Sequence, residues 1–339
     1  MAISNQALSR YLAAIFFISA FLFSCTPDSK TPSFTSITVQ LRWTHQSQFA
    51  GFYMSDQKGY YSSEELKVSF LEGGPNVDLI KPVLDGIAQF GLTSSENLII
   101  ERANSKPLCA ITTIYRRSPH VFFTLVKSGI TRPKDFVGKT IHVPRDLIPT
   151  FRTIMARVGI RPGQYKMGNY GTDLTPFFSG QVHVWSGIIN GKALYSTKKA
   201  GYQVNFIFPD DYGIHSYGDT IFTSDNLITK NPDLVKRFLR ATLKGWTHAV
   251  ENPTTIAATV TKYNPKVDIE YETASMIASI PIVNTGEDHI GWMKAEMWAG
   301  VEKTLREQGI LTKPVDVKQV YMMQFLEEIY KKSINEAEP

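Results

Sequence analysis

From Ser36 onward the chain alternates short strand-like runs with helix-like runs, and this alternation limits the fold more than any other feature. Residues 37–41 read as a strand and 49–58 as a helix, then 66–71 as a strand and 76–85 as a helix. Residues 89–92 follow as a strand, 94–104 as a helix and 108–114 as a strand. Such an order implies a mainly parallel sheet covered by helices on both faces. Glycines and small polar residues fall where strands end, at Gly73-Gly74-Pro75 and Thr93-Ser94-Ser95. In open α/β sheets that edge receives ligands.

The alternation resumes after residues 121–126. Residues 140–143, 165–167, 182–186 and 204–208 read as strands, and 149–158, 173–179 and 192–200 as the helices between them. Residues 218–223 form one more extended run, and from Asn231 helices take over. In NPDLVKRFLRATLKGWTHAVENP, Asn231 suits an N-cap and Pro232 the first helical turn. Leu234, Val235, Phe238, Leu239, Leu243, Trp246 and Val250 recur at three- and four-residue steps and make one apolar face, which places Trp246 in a core. Asn252-Pro253 repeats the start signal, and further helices are predicted over 269–280, 289–308 and 317–332.

A chain of 339 residues, 43% of them hydrophobic, has enough material for two lobes. The simplest architecture builds a first lobe from residues 36–124 and 219–339 and inserts a second, 125–218, between them. Two crossings, near 123–127 and 217–222, then form a hinge, and the cleft between the lobes forms a site.

The first residues carry a separate signal. Arg10 supplies a positive flank and residues 11–23 are almost wholly apolar, shorter than the roughly 20 residues of a membrane-spanning helix. Charge, apolar run and small-residue end make a secretory signal peptide over residues 1–24. Leu22-Phe23-Ser24-Cys25 resembles a bacterial lipobox, although Phe23 is bulkier than the small residue usual there. On that reading Cys25 is lipidated and residues 25–35, with two prolines, are a tether. The alternative is an ordinary signal peptide with an incidental cysteine. The expectation is an exported protein, periplasmic or on the outer face of the cytoplasmic membrane, held by lipid. Cys109, in an apolar run, is expected to be a small buried hydrophobe, not a disulfide partner.

Several function classes lack support. The net charge of +5 is scattered, with tight basic groups only at Arg116-Arg117, Lys198-Lys199 and Lys331-Lys332, whereas a nucleic-acid binder concentrates its charge. Neither G-x-S-x-G nor H-E-x-x-H occurs. The seven histidines lie tens of residues apart, without metal-ligand spacing. SGIINGKA fails as a phosphate loop at Ser186 and Ala193, and G-x-G-x-x-G is missing. No catalytic residue, metal or cofactor is expected.

What remains is carried by longer stretches: LRWTHQSQFAGFYMSDQKGYY, GGP, FGLTSSENLIIERA, SPHVFFTLVKSGITRPKDFVGKTI, WSG and PDDYGIHSYGDTIFTS with the helix that follows. Together these resemble the solute-binding component of ABC importers, in the branch that binds thiamin-precursor pyrimidines, with alkanesulfonate, nitrate and taurine binders as cousins. The likeness runs from residue 37 to about 330. It implies an α/β, two-lobed periplasmic-binding-protein fold of type II, each lobe a mainly parallel sheet flanked by helices, with two crossover strands as hinge. It also implies a small-molecule ligand, permease and ATPase subunits as partners, and a monomer.

In such relatives the tryptophan after the first strand stacks on a flat heterocycle, and polar groups beside it bond the ring's edge. By that resemblance Trp43 is the platform, a contact that adds about 0.5–1.5 kcal/mol beyond area burial. Gln46 and Gln48 replace asparagines common in the loop, each offering an acceptor and two donors. Phe49 stands where pyrimidine binders often have histidine, Ser94, Ser95 and Glu96 face the cleft, and Trp185, Asp211 and Tyr212 join from the second lobe. Lys192 falls where relatives often carry a ligand-binding glutamate. Either it favours an anionic or carbonyl-rich ligand, or it starts a helix and points to solvent. Two other functions stay open: a solute-sensing module for a membrane receptor, and an enzyme like the thiamin-pyrimidine synthases, whose cysteine-rich iron site this chain lacks.

Overall fold

A computed structural model describes residues 34–74, 77–144 and 147–337, those beyond 331 by backbone only. The signal peptide, Cys25 and most of the tether lie outside the described residues.

Strands β1 (Thr35–Gln40), β2 (Leu66–Leu71), β3 (Phe90–Thr93), β4 (Leu108–Thr113) and β10 (Thr220–Ser224) make one sheet in the order β2-β1-β3-β10-β4. Strands β5 (His120–Leu125), β6 (Thr140–His142), β7 (Lys166–Gly168), β8 (Val184–Ile188) and β9 (Val204–Ile207) make a second, ordered β7-β6-β8-β5-β9. Both sheets are mixed. In the first, β1 pairs parallel with β2 and β3 while β10 runs antiparallel to β3 and β4. In the second, β6 pairs parallel with β7 and β8 while β5 runs antiparallel to β8 and β9. The antiparallel strands are those that enter each lobe after a crossing. The chain leaves a sheet at the carboxyl edge of its parallel strands, so it enters the other sheet at the corresponding edge and must run against its neighbours.

Burial follows from this layering. All residues of β3 and β4 are buried, as expected of strands covered on both faces. Along β5 the two-residue period sends Val121, Phe123 and Leu125 into one aromatic cluster with Phe177 and Trp185, and Phe122 into another with Phe136 and Phe151. In the first lobe, helix α1 (Ala50–Gln57) crosses the long helix Pro232–Glu251 where both carry glycine. A Cβ on Gly51 would lie 2.2 Å from the Trp246 ring, and one on Gly245 would lie 2.2 Å from the Gly51 carbonyl. That close approach lets Ser55 Oγ donate to the Ala241 carbonyl at 2.8 Å. It also seats Trp246, 1% exposed, in the core and anchors the segment that follows β1.

Several sequence expectations are corrected. Residues 120–125 belong to the second sheet, so that lobe begins before residue 125 and the first crossing spans residues 114–119. The run 121–126 is apolar enough for either sheet, and composition does not say which strands it pairs with. The helix expected over 76–85 shrinks to Lys81–Leu84, because Asp78 Oδ1 accepts from the N–H groups of Ile80 and Lys81 in a turn. The helix expected from 289 starts at Ala295, after Gly291 adopts a left-handed φ of 87°. The one expected from 317 is a short turn, Val317–Gln319, followed by a helix at Gln324–Ala337. Asn231 makes no side-chain cap. An unforeseen helix, Asp225–Lys230, is capped instead by Ser224.

Candidate functional site

The segment after β1 is held by wiring within the first lobe. Gly73 N–H donates to the Trp43 carbonyl at 3.1 Å, and a Cβ on Gly73 would lie 2.3 Å from the Arg42 carbonyl carbon, so glycine is required where the two loops touch. His45 N–H donates to Glu72 Oε1 at 2.8 Å, and Ser47 N–H to Glu272 Oε2 at 2.6 Å. Within this frame the Trp43 side chain is 42% exposed. Gln46 Nε2 donates to Gln48 Oε1 at 2.7 Å, and Gln48 Nε2 donates to Asp219 Oδ2 at 2.7 Å. The other Asp219 oxygen accepts from Arg42 Nη1 at 3.1 Å.

Asp219 lies on the second crossing, just before β10, and is 1% exposed. Its backbone carbonyl accepts from Ile114 N–H at 2.7 Å, on the first crossing. Burial pushes its carboxyl above the usual carboxylate range, opposed by the charge of Arg42 and the hydrogen bond from Gln48.

The carboxyl edge of β3 adds a second group. Ser94 caps the helix Ser95–Ala103 by accepting from Asn97 N–H. Ser95 is sealed, its Oγ accepting from Tyr217 N–H at 3.0 Å and so fixing the helix start to the second crossing. Glu96 is half-buried. Arg42, Ser94 and Glu96 line a cavity of about 220 Å3, closed by Pro119 of the first crossing, Ser216 of the second, and His120 and Thr150 of the second lobe.

The expected residues therefore divide. Ser94 and Glu96 meet in the cavity, and Gln46 and Gln48 reach its wall through Asp219 and Arg42. Trp43 neighbours Arg42 and stays accessible. Phe49, by contrast, is fully buried edge-on to Tyr53 at a centroid distance of 6.5 Å, which corrects the expectation that it faces a ligand. Trp185 is corrected likewise. It is 2% exposed, stacked on His142 at 3.9 Å and packed on Phe177 inside the second lobe, because β8 turns it to the helix-covered face. Lys192 is the exposed first residue of the helix Lys192–Lys199 and does not line the cavity. Asp211 is exposed and borders a different cavity of about 110 Å3, with Arg117, Phe208 and Pro281. Tyr212 packs on the second lobe's core, and its carbonyl accepts from Arg157 Nη1 at 2.9 Å.

Sequence reasoning missed Arg42, Asp219 and Asn190. Asn190, in the loop after β8, is 6% exposed and reaches into the first lobe. Its Nδ2 donates to Tyr115 Oη at 3.0 Å and Ser279 Oγ at 2.8 Å, and its carbonyl accepts from Tyr271 Oη at 3.3 Å. Two ion pairs flank this bridge between lobes, Lys199 with Glu270 at 2.6 Å and Arg157 with Glu307 at 2.7 Å. The one available signal was a lone acid, Asp219, opening an otherwise uncharged buried strand.

Among the described residues no cluster of three or more His, Cys, Asp or Glu could hold a metal ion, and no helix is long and apolar enough to cross a membrane. The arrangement is a cavity between the lobes lined by donors and acceptors, with the exposed Trp43 next in sequence to Arg42 of its lining.

Comparison with known proteins agrees with this architecture. A riboflavin-binding protein, RibY, of Chloroflexus aurantiacus is 25% identical over 87% of this chain and 87% of its own length. A formylaminopyrimidine-binding protein of Halalkalibacterium halodurans is 23% identical over 94% of this chain and 98% of its own. A 4-amino-5-hydroxymethyl-2-methylpyrimidine phosphate synthase of Legionella pneumophila is 23% identical over 86% and 92%. Among solved structures, a periplasmic sulfonate-binding protein of Methylobacillus flagellatus superposes with a TM-score of 0.68 at 14% identity, covering 90% of this chain and 96% of that one. The fold is therefore the two-lobed α/β fold of periplasmic binding proteins. The family model described as NMT1/THI5 like matches residues 46–256, and the chain belongs to that family.

Proposed function

We propose that this protein is a lipid-anchored, exported substrate-binding component of an ABC importer. It holds a small planar heterocycle, a thiamin-precursor pyrimidine or a similar ring, in the interlobe cleft and passes it to a permease. The observation that carries this reading is the cavity itself. Groups from the carboxyl edges of β1 and β3, both crossings and the second lobe enclose one space, and the exposed Trp43 follows Arg42 of its lining in sequence. Ligands of such folds sit at that edge, and a space enclosed by parts of both lobes closes when the hinge closes. The relatives named for binding riboflavin and formylaminopyrimidine support a ring-shaped ligand. A volume of 220 Å3 lies below the roughly 300 Å3 at which drug-sized pockets begin, which favours a single ring over a tricyclic one.

The test is a thermal-shift and native mass-spectrometry screen of pyrimidines, riboflavin and sulfonates, since a ligand bound only by the folded state raises the apparent melting temperature. The expected hit is a pyrimidine. Trp43→Ala is expected to weaken it about tenfold or more, the ~1.4 kcal/mol of a stacked ring, while unfolding remains cooperative. Binding unchanged in Trp43→Ala rejects stacking, and steady chemical conversion of any of these compounds rejects the transport role. For the anchor, Cys25→Ser is expected to release the protein from membranes into the soluble fraction. Retention of the variant on membranes rejects lipidation at that residue.

A further inference from the structure

The direction of the hydrogen bonds around Asp219 carries information about the ligand. Asp219 accepts through both of its oxygens, and a guanidinium only donates. Asp219 therefore takes Arg42 on one oxygen and must face the NH2 end of Gln48 with the other, as the 3.1 and 2.7 Å contacts show. With its NH2 turned to Asp219, Gln48 turns its Oε1 to Gln46, which answers with its own NH2 at 2.7 Å. The carbonyl oxygen left open at the end of the chain is Gln46 Oε1, an acceptor that no protein donor reaches among the described residues. Two amides that could each point either way are set by one buried acid.

We propose that Asp219 is a positioning residue that fixes the polarity of the Gln48–Gln46 relay. The cleft rim then presents an acceptor and selects rings that offer an N–H or O–H along that edge. This rests on the reading that the cleft binds a planar heterocycle. The relay is joined to the cavity through Arg42, which shares the Asp219 carboxylate and lines the cavity with Glu96. Glu96 adds a second acceptor, with no cation paired to it among the described residues. Arg42 contributes no net charge, because Asp219 answers it. A ring whose N–H is methylated loses its bond to these acceptors.

Asp219→Asn inverts the relay. Arg42 claims the Asn oxygen, the Asn NH2 turns to Gln48, both glutamines flip, and Gln46 then presents a donor. Two measurements test this. In the ligand-free, 15N-labelled protein, the Gln48 side-chain amide protons are expected to exchange slowly in the native form and to shift in Asp219→Asn. In binding titrations, 4-amino-5-hydroxymethyl-2-methylpyrimidine is compared with its 4-dimethylamino analogue, and riboflavin with 3-methylriboflavin. The native protein is expected to prefer the N–H member of a pair about tenfold or more. In Asp219→Asn the preference is expected to fall below about threefold or reverse. Gln48→Leu, which leaves the Arg42–Asp219 pair intact, is expected to erase the preference even if Asp219→Asn does not fold. An unmoved Gln48 amide or an unchanged preference overturns the proposal. If the amide responds but no ring binds the native protein, the heterocycle reading falls with the ligand class, and the relay stands.

Discussion

The two lobes meet the cleft with different materials. The first lobe brings a polar rim whose members are tied to each other, with Arg42, Gln46 and Gln48 gathered on Asp219 and Ser95 clasping Tyr217, and it leaves one large aromatic, Trp43, accessible. The second lobe turns its aromatic inward. Trp185 stacks on His142, both at most 3% exposed, and the lobe touches the cavity mainly through Leu147, Pro149 and Thr150. Its strongest approach to the first lobe is Asn190, which bonds protein groups. The difference teaches that one sequence cue, a tryptophan near a strand's carboxyl end, has two outcomes. After β1 the indole lies past the last paired residue, on a loop. In β8 it is a ladder residue opposite Phe123, and the pleat decides its side.

The contrast is broken first by truncating the buried indole. Trp185→Ala is expected to cost about 3–5 kcal/mol of stability, the usual result of emptying a packed aromatic site. Trp43→Ala should stay within about 0.5 kcal/mol of the native protein, as exposed sites do. Urea unfolding of the two variants checks this, and similar losses in both would erase the distinction between rim and core.

A smaller effect comes from the partner of Trp185. Burial pushes His142 down from 6.5 to about 4, and its Nδ1 accepts from Tyr170 N–H at 3.0 Å, so the folded lobe holds the neutral ring. Below pH 6.5 the unfolded chain binds a proton that the folded chain refuses. The stability that comes from keeping His142 neutral is therefore complete above pH 6.5, declines as pH falls toward 4, and is gone below that. The loss is on the order of 2 kcal/mol. Unfolding free energies measured from pH 7.5 to 4.5 should show the decline, and His142→Phe, which keeps the stack without a titrating group, should flatten it. An identical slope in the variant would assign the pH dependence to other groups.

How much of this was legible in the sequence depends on which forces placed each residue. The strands and the long helix 232–251 were readable because burial imposes a period, and Leu234, Phe238 and Trp246 keep it. Ser94 and Glu96 were readable because a strand-to-helix turn announces itself with a cap. The membership of β5 was not, since pairing is a long-range choice between two equally apolar sheets. Arg42 and Asp219 were not, because they lie 177 residues apart and only the return crossing brings them together. Asn190 was not, because its burial depends on the other lobe arriving over it. Local chemistry marks the edges where a site can form. The partners that complete it are set by topology.

The smallest effect is expected where the sequence raised the largest chemical question. Lys192 stands in place of an acid that relatives often turn to their ligand, and a buried ammonium there would invert the charge of the site. The structure instead exposes Lys192 at the start of its helix, facing neither the cavity nor an acidic partner among the described residues. A cation at a helix N-terminus opposes the positive end of the helix dipole, so Lys192→Glu should gain about 0.3–1 kcal/mol of helix stability at low salt and lose that gain as salt rises. Ligand preference should not change. A stabilised variant with an unaltered binding profile confirms a surface lysine. A shift toward amino-bearing rings in Lys192→Glu would bring the second lobe back into recognition and end the asymmetry between the two rims.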